Sequence, residues 1–194
     1  QDKALYTSKA KQFSLLEVPR MQFLASDGQG APAGEDFRKA AEALYAISYT
    51  LKFMRKKRES GPDYGVLPLE GLWWADDMSA FEKAAKEEWK WKLMIRQPDF
   101  IPQQDIHEAI DLASEKKGLA FEKMVDLIHF EEGRAAQTLH IGPYAEEGPT
   151  IAAMHKFIAD QGLELRGRHH EIYLNDPRRV APEKLKTILR QPVR

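Results

Sequence analysis

Glu171 and Tyr173 are the residues whose types and spacing are best suited to joint chemistry. They lie in the segment 169–175, whose alternation of polar and apolar residues predicts a β-strand. Both side chains then share one face, while Ile172 and Leu174 face the core. We expect burial among aromatic side chains to raise the pKa of the Glu171 carboxyl, which would suit it as a general base on water near neutral pH. The alternative is a surface ion pair between Glu171 and a nearby arginine.

Two adjacent tryptophans form the second candidate group, in the predicted strand 66–75. Because neighbours in a strand face opposite ways, Trp73 and Trp74 cannot both line a ligand site. A tryptophan face stacks on flat ligands and attracts cations. Glu70 shares a face with Trp74 in a regular strand, so the pattern favours Trp74 and Glu70 as ligand contacts. The alternative places both tryptophans in the core.

Two tyrosines lie at the edges of predicted strands. Tyr144 follows Gly142-Pro143 and comes just before a helix, so its hydroxyl could donate a hydrogen bond to a leaving oxygen or a ligand carbonyl. A role in packing or in capping the turn is equally expected. Tyr64, before the strand 66–75, is a weaker candidate for a similar role.

Several other kinds of site lack the residues they need. The chain has no cysteine, which excludes disulfides, thiolate catalysis and thiolate metal sites. His170 has no second histidine four residues later, and a strand points the neighbouring His169 away from it, so no metal site is predicted. The sequence also contains no glycine-rich phosphate loop and no nucleophilic serine elbow, so we expect no cofactor.

Charge and hydropathy narrow the expected partners. The 29 basic and 30 acidic residues nearly cancel, and the one basic run, Arg55–Arg58, ends a predicted helix whose dipole it complements. We therefore expect no direct binding of nucleic acid. No apolar run approaches the ~20 residues of a membrane helix, and the N-terminus lacks the pattern of a signal peptide. A cytoplasmic protein without membrane contact is the expectation.

The remaining patterns predict the elements that would position these residues. Helical spacing predicts helices over 35–58 and 149–161 and a helical pair over 102–130, whose second stripe is Met124, Val125, Leu127 and Ile128. Strand patterns cover 12–25 (with a break at Pro19-Arg20), 66–75, 89–97, 134–141, 169–175 and 184–191. A loop is predicted over 26–34 and a short helical turn within 76–86.

The order strand–helix–strand–strand occurs twice, once over about 12–98 and once over about 134–192. Ile95-Arg96-Gln97-Pro98 is echoed by Leu189-Arg190-Gln191-Pro192 at the same place in the second copy. The prediction is one α+β domain, 1–194, with a duplicated unit, pseudo-two-fold symmetry, antiparallel sheets packed with helices, and a helical linker over 102–130. The cleft between the two copies is the expected ligand site.

Three motifs resemble the GyrI-like (gyrase-inhibitor-like) family, and within it the members that carry no DNA-binding domain. They are PLEGLWW at Pro68–Trp74, LHIGPY at Leu139–Tyr144, and HHEIYLNDPRR at His169–Arg179, which runs into Pro182–Pro192. The resemblance covers essentially the whole chain. It implies two strand–helix–strand–strand units around a cleft that holds hydrophobic, often planar or cationic, small molecules.

The resemblance leaves three functions open. Some similar members hydrolyse the strained cyclopropane of DNA-alkylating natural products, which would make Glu171 and Tyr144 catalytic and Glu70, Trp73, Trp74, Tyr173 and Tyr64 ligand contacts. A non-catalytic drug-binding, sensor or sequestration protein would use the same residues. A gyrase-binding inhibitor would use an outer surface that the sequence does not identify.

Overall fold

The computed structural model describes residues 2–32, 34–75 and 88–194, and it has the α+β architecture that the sequence predicts. The helices are α1 (Asp2–Leu5), α2 (Glu35–Lys57), α3 (Gln103–Lys117) and α4 (Gly148–Asp160). The strands are β1 (Ser14–Val18), β2 (Met21–Gln29), β3 (Leu69–Trp74), β4 (Lys90–Gln97), β5 (Asp126–Phe130), β6 (Gly133–Ile141), β7 (His169–Tyr173) and β8 (Lys186–Pro192). The helical turn predicted within 76–86 lies outside the described residues.

The predicted repeat is visible in the order of elements. The series β2-α2-β3-β4 recurs as β6-α4-β7-β8. The echoed residues occupy matching places, because Arg96 and Gln97 end β4 while Arg190 and Gln191 lie near the end of β8, and all four side chains are buried. The strand pairs β1–β6, β2–β4, β2–β5, β6–β8 and β7–β8 are antiparallel.

Contacts within the chain divide it into two compact units. The first contains residues 2–20, 70–73 and 131–194, and the second contains the described residues of 21–69 and 74–130. The middle of β3 thus belongs to the first unit and its two ends to the second. All the residues that form polar clusters around β7 belong to the first unit.

The first unit has the strand order β1-β6-β8-β7-β3, with α4 packed on one face. Met154 and Ile158 of α4 are buried in one apolar cluster with Ala136 of β6 and Leu189 of β8. Their spacing of four residues gives α4 one apolar stripe, and Pro149 suits the first turn of the helix because its missing N–H has no helical partner there. Full burial of a Met, Ile or Leu side chain in this cluster stabilises the unit by roughly 1.5–3 kcal/mol.

In the second unit, α2 and α3 accompany the strands β4, β2 and β5. Leu44, Ile47 and Leu51 of α2 are fully buried at helical spacing. The Phe37 ring meets the Trp91 ring edge to face, with 5.5 Å between centroids. The basic residues Arg55 and Arg58 at the end of α2 pair with acidic residues of α3, so this run takes part in helix packing.

β2 continues into the segment that the sequence predicts as the loop 26–34. Residues 26–29 pair in register with residues 90–93 of β4. A Cβ atom on Gly28 would lie 2.1 Å from Cη2 of Trp91, so only glycine leaves room for the indole here. Glycine in this strand therefore marks a close approach of a side chain rather than the end of the strand.

The prediction of a second helix in 102–130 is wrong, because residues 126–130 form β5 and pair with β2. α3 ends as predicted at Gly118, which adopts the left-handed conformation with φ 64°. The apolar run after it is short, and periodicity cannot separate a short apolar strand from a buried helical turn. Hydrogen bonding to the open edge of β2 decides the outcome.

Candidate functional site

Six side chains of the first unit form what we call the carboxylate cluster. They come from β7, from β3, and from the turn that leads into α4: His169, Glu171, Tyr173, Trp73, Tyr144 and Glu147. Sequence reasoning predicted four of them, Glu171, Tyr173, Trp73 and Tyr144, as site residues. It missed His169 and Glu147.

Strand alternation sets which residues of β7 reach the cluster. Glu171 and Tyr173 lie opposite Leu189 and Thr187 of β8. Leu189 packs against α4, so this face of the sheet is the one that α4 covers. Because the chain passes through Tyr144–Glu146 directly before α4 begins, that turn lies over the same face.

Hydrogen bonds fix the Glu171 carboxylate in place. The Tyr173 hydroxyl donates to Oε2 of Glu171 at 2.7 Å, and the Trp73 indole N–H donates to the Tyr173 oxygen at 2.9 Å. Nε2 of His169 lies 3.2 Å from Oε1 of Glu171, so the tautomer protonated there donates as well. The two oxygens offer about four lone-pair sites, which is more than these donors occupy. The cluster therefore holds an oriented carboxylate that can still accept a proton.

Tyr144 gives the cluster an aromatic edge toward solvent. Its ring meets the Tyr173 ring edge to face, with 5.7 Å between centroids. The residue is 38% exposed, whereas Trp73 is 2% exposed. Tyr144 is therefore the aromatic member of the cluster that can meet an incoming ligand directly.

The pKa of Glu171 shifts in the direction opposite to the one expected from sequence. Burial raises its pKa, but hydrogen bonds and charge from His169, followed by hydrogen bonds from Tyr173 and Glu147, outweigh burial, so the pKa lies below the ordinary value of 4.5. The sequence indicated burial of Glu171, but it did not show that His169 and Tyr173 would donate hydrogen bonds to the carboxylate. Glu171 is consequently ionised at neutral pH.

Glu147 behaves in the opposite way. Its carboxyl is buried, and burial followed by the adjacent Glu171 charge raises its pKa to about 9. Two carboxylates in contact cannot both ionise readily, because like charges in a site of low polarity repel strongly. At neutral pH one of the pair is therefore charged and the other carries a proton. The EE dipeptide after Tyr144 gave no sequence signal for this role.

A second polar group, the buried ionic network, lies on the opposite face of β7. His170 bridges two carboxylates, with Nδ1 3.0 Å from Glu132 and Nε2 2.9 Å from Glu70. Nη1 of Arg190 lies 3.3 Å from the same Glu132. The exposed fraction of each of these side chains is 1%. Two positive and two negative groups give the network zero net charge when His170 is protonated.

The network keeps His170 protonated at neutral pH. Burial lowers the pKa of His170, but the charges and hydrogen bonds of Glu132 and Glu70 outweigh it and raise the pKa to about 9. For Glu132 the signs are reversed. Burial raises its pKa, but the charges and hydrogen bonds of His170 and Arg190 outweigh burial and bring the pKa below its ordinary value. Mutual neutralisation is what makes such deep burial of charge tolerable.

The N-terminal segment completes the network. The Tyr6 hydroxyl donates to Oε1 of Glu70 at 2.6 Å, and Nη2 of Arg190 donates to the carbonyl of Leu5 at 2.6 Å. Both carboxylate oxygens of Glu70 therefore have protein partners, and its side chain is 1% exposed. The structure assigns Glu70 to this network and not to the carboxylate cluster. Its role as a ligand contact stays a prediction without geometric support.

The other two predicted ligand contacts lie in the second unit. Trp74 is half-buried, and Tyr64 meets Phe100 edge to face with 5.8 Å between ring centroids. Burial raises the pKa of the Tyr64 hydroxyl to about 12, and among the described residues this hydroxyl has no hydrogen-bonding partner. Their contact with a ligand, and the choice between Trp73 and Trp74 for a cleft, stay predictions.

The described part of the chain has neither a cluster suited to a metal ion nor a helix suited to a membrane. No set of three or more His, Asp or Glu side chains there is arranged to hold a metal ion. No helix there combines the length and the apolar character required to cross a bilayer.

Comparison with known proteins agrees with this architecture. Residues 11–194 match the model of the GyrI-like small molecule binding domain. A hydrolase from Listeria innocua is 40% identical, with a TM-score of 0.86 over 100% of this chain and 96% of its own. An uncharacterized conserved protein from Listeria innocua is also 40% identical, with a TM-score of 0.92 over 100% of this chain and 97% of its own.

A more distant structure shares only the fold. The C-terminal domain of EcmrR is 13% identical, with a TM-score of 0.60 over 94% of this chain and 97% of its own. No curated protein sequence is significantly similar to this chain.

Proposed function

Because the chain belongs to the family of GyrI-like small-molecule-binding domains, we propose that it binds a hydrophobic aromatic molecule at the carboxylate cluster and opens a strained cyclopropane ring in that molecule with water. The observation that supports hydrolysis is the ionised Glu171 carboxylate, held by His169 and Tyr173 among aromatic rings. The Listeria innocua hydrolase, with 40% identity over the whole chain, supports the same reaction class.

Aromatic side chains define the class of ligand. Tyr144 and Tyr173 offer ring faces and edges next to the carboxylate, which suits a flat, hydrophobic molecule. The indole N–H of Trp73 donates a hydrogen bond to the Tyr173 hydroxyl oxygen and so helps to fix that side chain.

The reaction needs one base and one proton donor. Glu171 takes a proton from water while the water oxygen attacks a ring carbon of the cyclopropane. The bond between that carbon and its ring neighbour breaks, and its electron pair passes into a conjugated carbonyl, whose oxygen accepts a proton from solvent while Glu171 releases its proton to solvent. The Tyr144 hydroxyl is the proposed donor of the hydrogen bond to that oxygen. The product is a ring-opened alcohol, and no co-reactant other than water is required.

This assistance is sufficient because the substrate is already reactive. Ring strain favours opening, so the protein has to position the water and supply acid–base help, which typically accelerates a reaction by ~10²–10⁴-fold. A ring-opened product can no longer alkylate DNA. The proposed biological consequence is detoxification of DNA-alkylating xenobiotics.

Incubation with a cyclopropane-bearing compound of the duocarmycin type tests the proposal. Mass spectrometry should detect addition of one water to the compound in the presence of the wild-type protein. Glu171→Gln keeps the size of the side chain but removes the base, so we expect turnover to fall by ~10²-fold or more. Glu164→Gln is the matched control, because Glu164 is an exposed glutamate of the same unit.

The two outcomes separate hydrolysis from simple binding. Turnover by the wild type and by Glu164→Gln, with loss in Glu171→Gln, supports the proposal. Saturable quenching of tryptophan fluorescence without a water adduct would overturn hydrolysis for this class of substrate. It would leave a drug-binding or sequestration protein.

A further inference from the structure

Glu147 is a buried carboxyl group for which the proposed reaction has so far given no role. It is the residue directly before α4, three residues after Tyr144, and only 4% of it is exposed. Its backbone is fixed on both sides, because its N–H donates to the carbonyl of Tyr144 at 3.2 Å and its carbonyl accepts from the N–H of Ile151 at 2.9 Å. The side chain is therefore held at one place over the sheet.

β7 and β8 present groups that face this carboxyl, and on the same face His140 of β6 lies opposite Thr187, with its ring at Thr150 and the Pro143 carbonyl. β7 presents Glu171, and beyond it Tyr173 and His169, while β8 presents the uncharged Thr187. Among these neighbours the charge that acts on Glu147 is the negative charge of Glu171. The Glu147 and Glu171 carboxyl groups lie close enough to interact directly. A hydrogen bond between two carboxyl groups requires a proton on one of them.

The proton belongs on Glu147. Glu171 has donors in His169 and Tyr173 that stabilise its charge, whereas Oε1 of Glu147 is buried without a hydrogen-bonding partner in the described part of the chain. An ionised carboxylate left in that state would be strongly disfavoured. The N-terminus of α4 does favour negative charge, but its influence is weaker than burial next to a second carboxylate.

We propose that Glu147 is a positioning residue of the site, whose protonated carboxyl donates a hydrogen bond to Glu171 and so keeps the Glu171 carboxylate ionised and oriented. The inference rests on the proposed role of Glu171 as base, but the shared proton itself does not depend on any reaction. The pair carries one negative charge in total. Loss of the Glu147 proton at high pH removes the donor and sets the alkaline limit of activity.

Infrared spectroscopy tests the shared proton directly, without a substrate. Protein labelled with ¹³C-glutamate should show the band of a protonated carboxyl group at neutral pH, and this band should titrate away near pH 9. Glu147→Gln should abolish the band, and Glu164→Gln should leave it unchanged. Glu171→Gln should move its titration to lower pH, because the neighbouring charge is gone.

Activity then tests the positioning role. Glu147→Gln retains an N–H donor, so it should lose the alkaline limb of the pH profile and lose less turnover at neutral pH than Glu147→Ala does. Glu147→Ala has no donor, so its acid limb should shift to higher pH and its neutral turnover should fall at least tenfold.

Each result has a distinct meaning. Absence of the carboxyl band in the wild type, or its survival in Glu147→Gln, overturns the inference even if the protein is an active hydrolase. An unchanged pH profile in both Glu147 variants overturns the positioning role. A band that behaves as expected in a protein that hydrolyses nothing would leave the shared proton standing and remove the hydrolase.

Discussion

At the scale of single residues, different neighbours give two adjacent glutamates, Glu171 and Glu147, pKa shifts in opposite directions. Glu171 gains donors from His169 and Tyr173, and its pKa falls. Burial, followed by the charge of Glu171, raises the pKa of Glu147. Two carboxyl groups with pKa values driven apart are a recurrent basis of acid–base sites. The identity of the partners, more than the degree of burial, decides which of the two carries charge.

Tyr173→Phe should raise the pKa of Glu171, because the variant removes the hydroxyl that donates to Oε2. ¹³C NMR titration of labelled glutamate would measure this shift without any need for turnover. The variant also removes the hydrogen bond from the buried indole N–H of Trp73, which should lower the free energy of unfolding by roughly 0.5–1.5 kcal/mol in urea titrations. Tyr49→Phe, at an exposed tyrosine, should change neither quantity. A Glu171 pKa that does not move would mean that Tyr173 does not tune it.

At the scale of elements, each face of β7 has a different covering element and a different kind of polar cluster. The face with Glu171 lies under α4 and the turn before it, where Tyr144 is partly open to solvent. The face with His170 is closed by the N-terminal segment through Leu5 and Tyr6. One strand therefore carries a candidate reaction site on one side and a sealed ionic network on the other.

Gly28 in β2 allows a test of how the close approach of the Trp91 ring constrains this strand. Gly28→Ala places a methyl group within 2.1 Å of the Trp91 ring, so the indole must move from its position against Phe37. Overpacking of this kind typically costs ~1–3 kcal/mol in the free energy of unfolding, measurable by urea titration.

Gly65→Ala is the matched control for that substitution. A Cβ on Gly65 would meet no atom within 4 Å, so stability should stay within about 0.5 kcal/mol of wild type. Equal stability of the two variants would show that Trp91 is free to move away from β2.

At the scale of the whole molecule, the charges of the buried ionic network compensate one another. The ionic network is neutral as a set, and the chain carries a formal charge of −1. Protonation is nevertheless coupled to folding. His170 and Glu147 both hold protons in the folded chain that the unfolded chain releases more readily.

The free energy of unfolding should therefore decrease as pH rises from 6.5 to about 9. The pKa of His170 rises from 6.5 unfolded to about 9 folded, so its contribution is complete below pH 6.5 and is lost through pH 9. Glu147 acts in the same direction, because its folded pKa of about 9 lies above its unfolded value of 4.5. Each additional proton bound by the folded state contributes a slope of about 1.4 kcal/mol per pH unit.

Urea unfolding at several pH values measures that slope. Glu147→Gln should make it shallower, because one of the two titrating groups is removed. Glu164→Gln should leave it unchanged, since Glu164 is exposed. A free energy of unfolding that is constant across this range would contradict the proton uptake assigned to His170 and Glu147.

Periodicity and composition were enough to predict the α+β class, the duplicated order of elements, and the face that Glu171 shares with Tyr173. These features are local, because strand alternation and helical spacing follow from the backbone of each segment. The echoed Arg-Gln pairs also marked the repeat correctly. Predictions failed where a distant partner decided the outcome, as for residues 126–130, which pair with β2 instead of forming a helix.

The polar chemistry depended on tertiary structure. No sequence pattern brings Glu147 to Glu171 or joins Glu70 to His170, since these contacts bridge 24 and 100 residues of chain. The direction of each pKa shift follows from those contacts, because a carboxyl in a low-polarity setting responds to every nearby donor and charge. The sequence determined that a carboxylate and a phenol would stand side by side on β7, while only the folded chain decided which of the two neighbouring carboxyl groups is ionised.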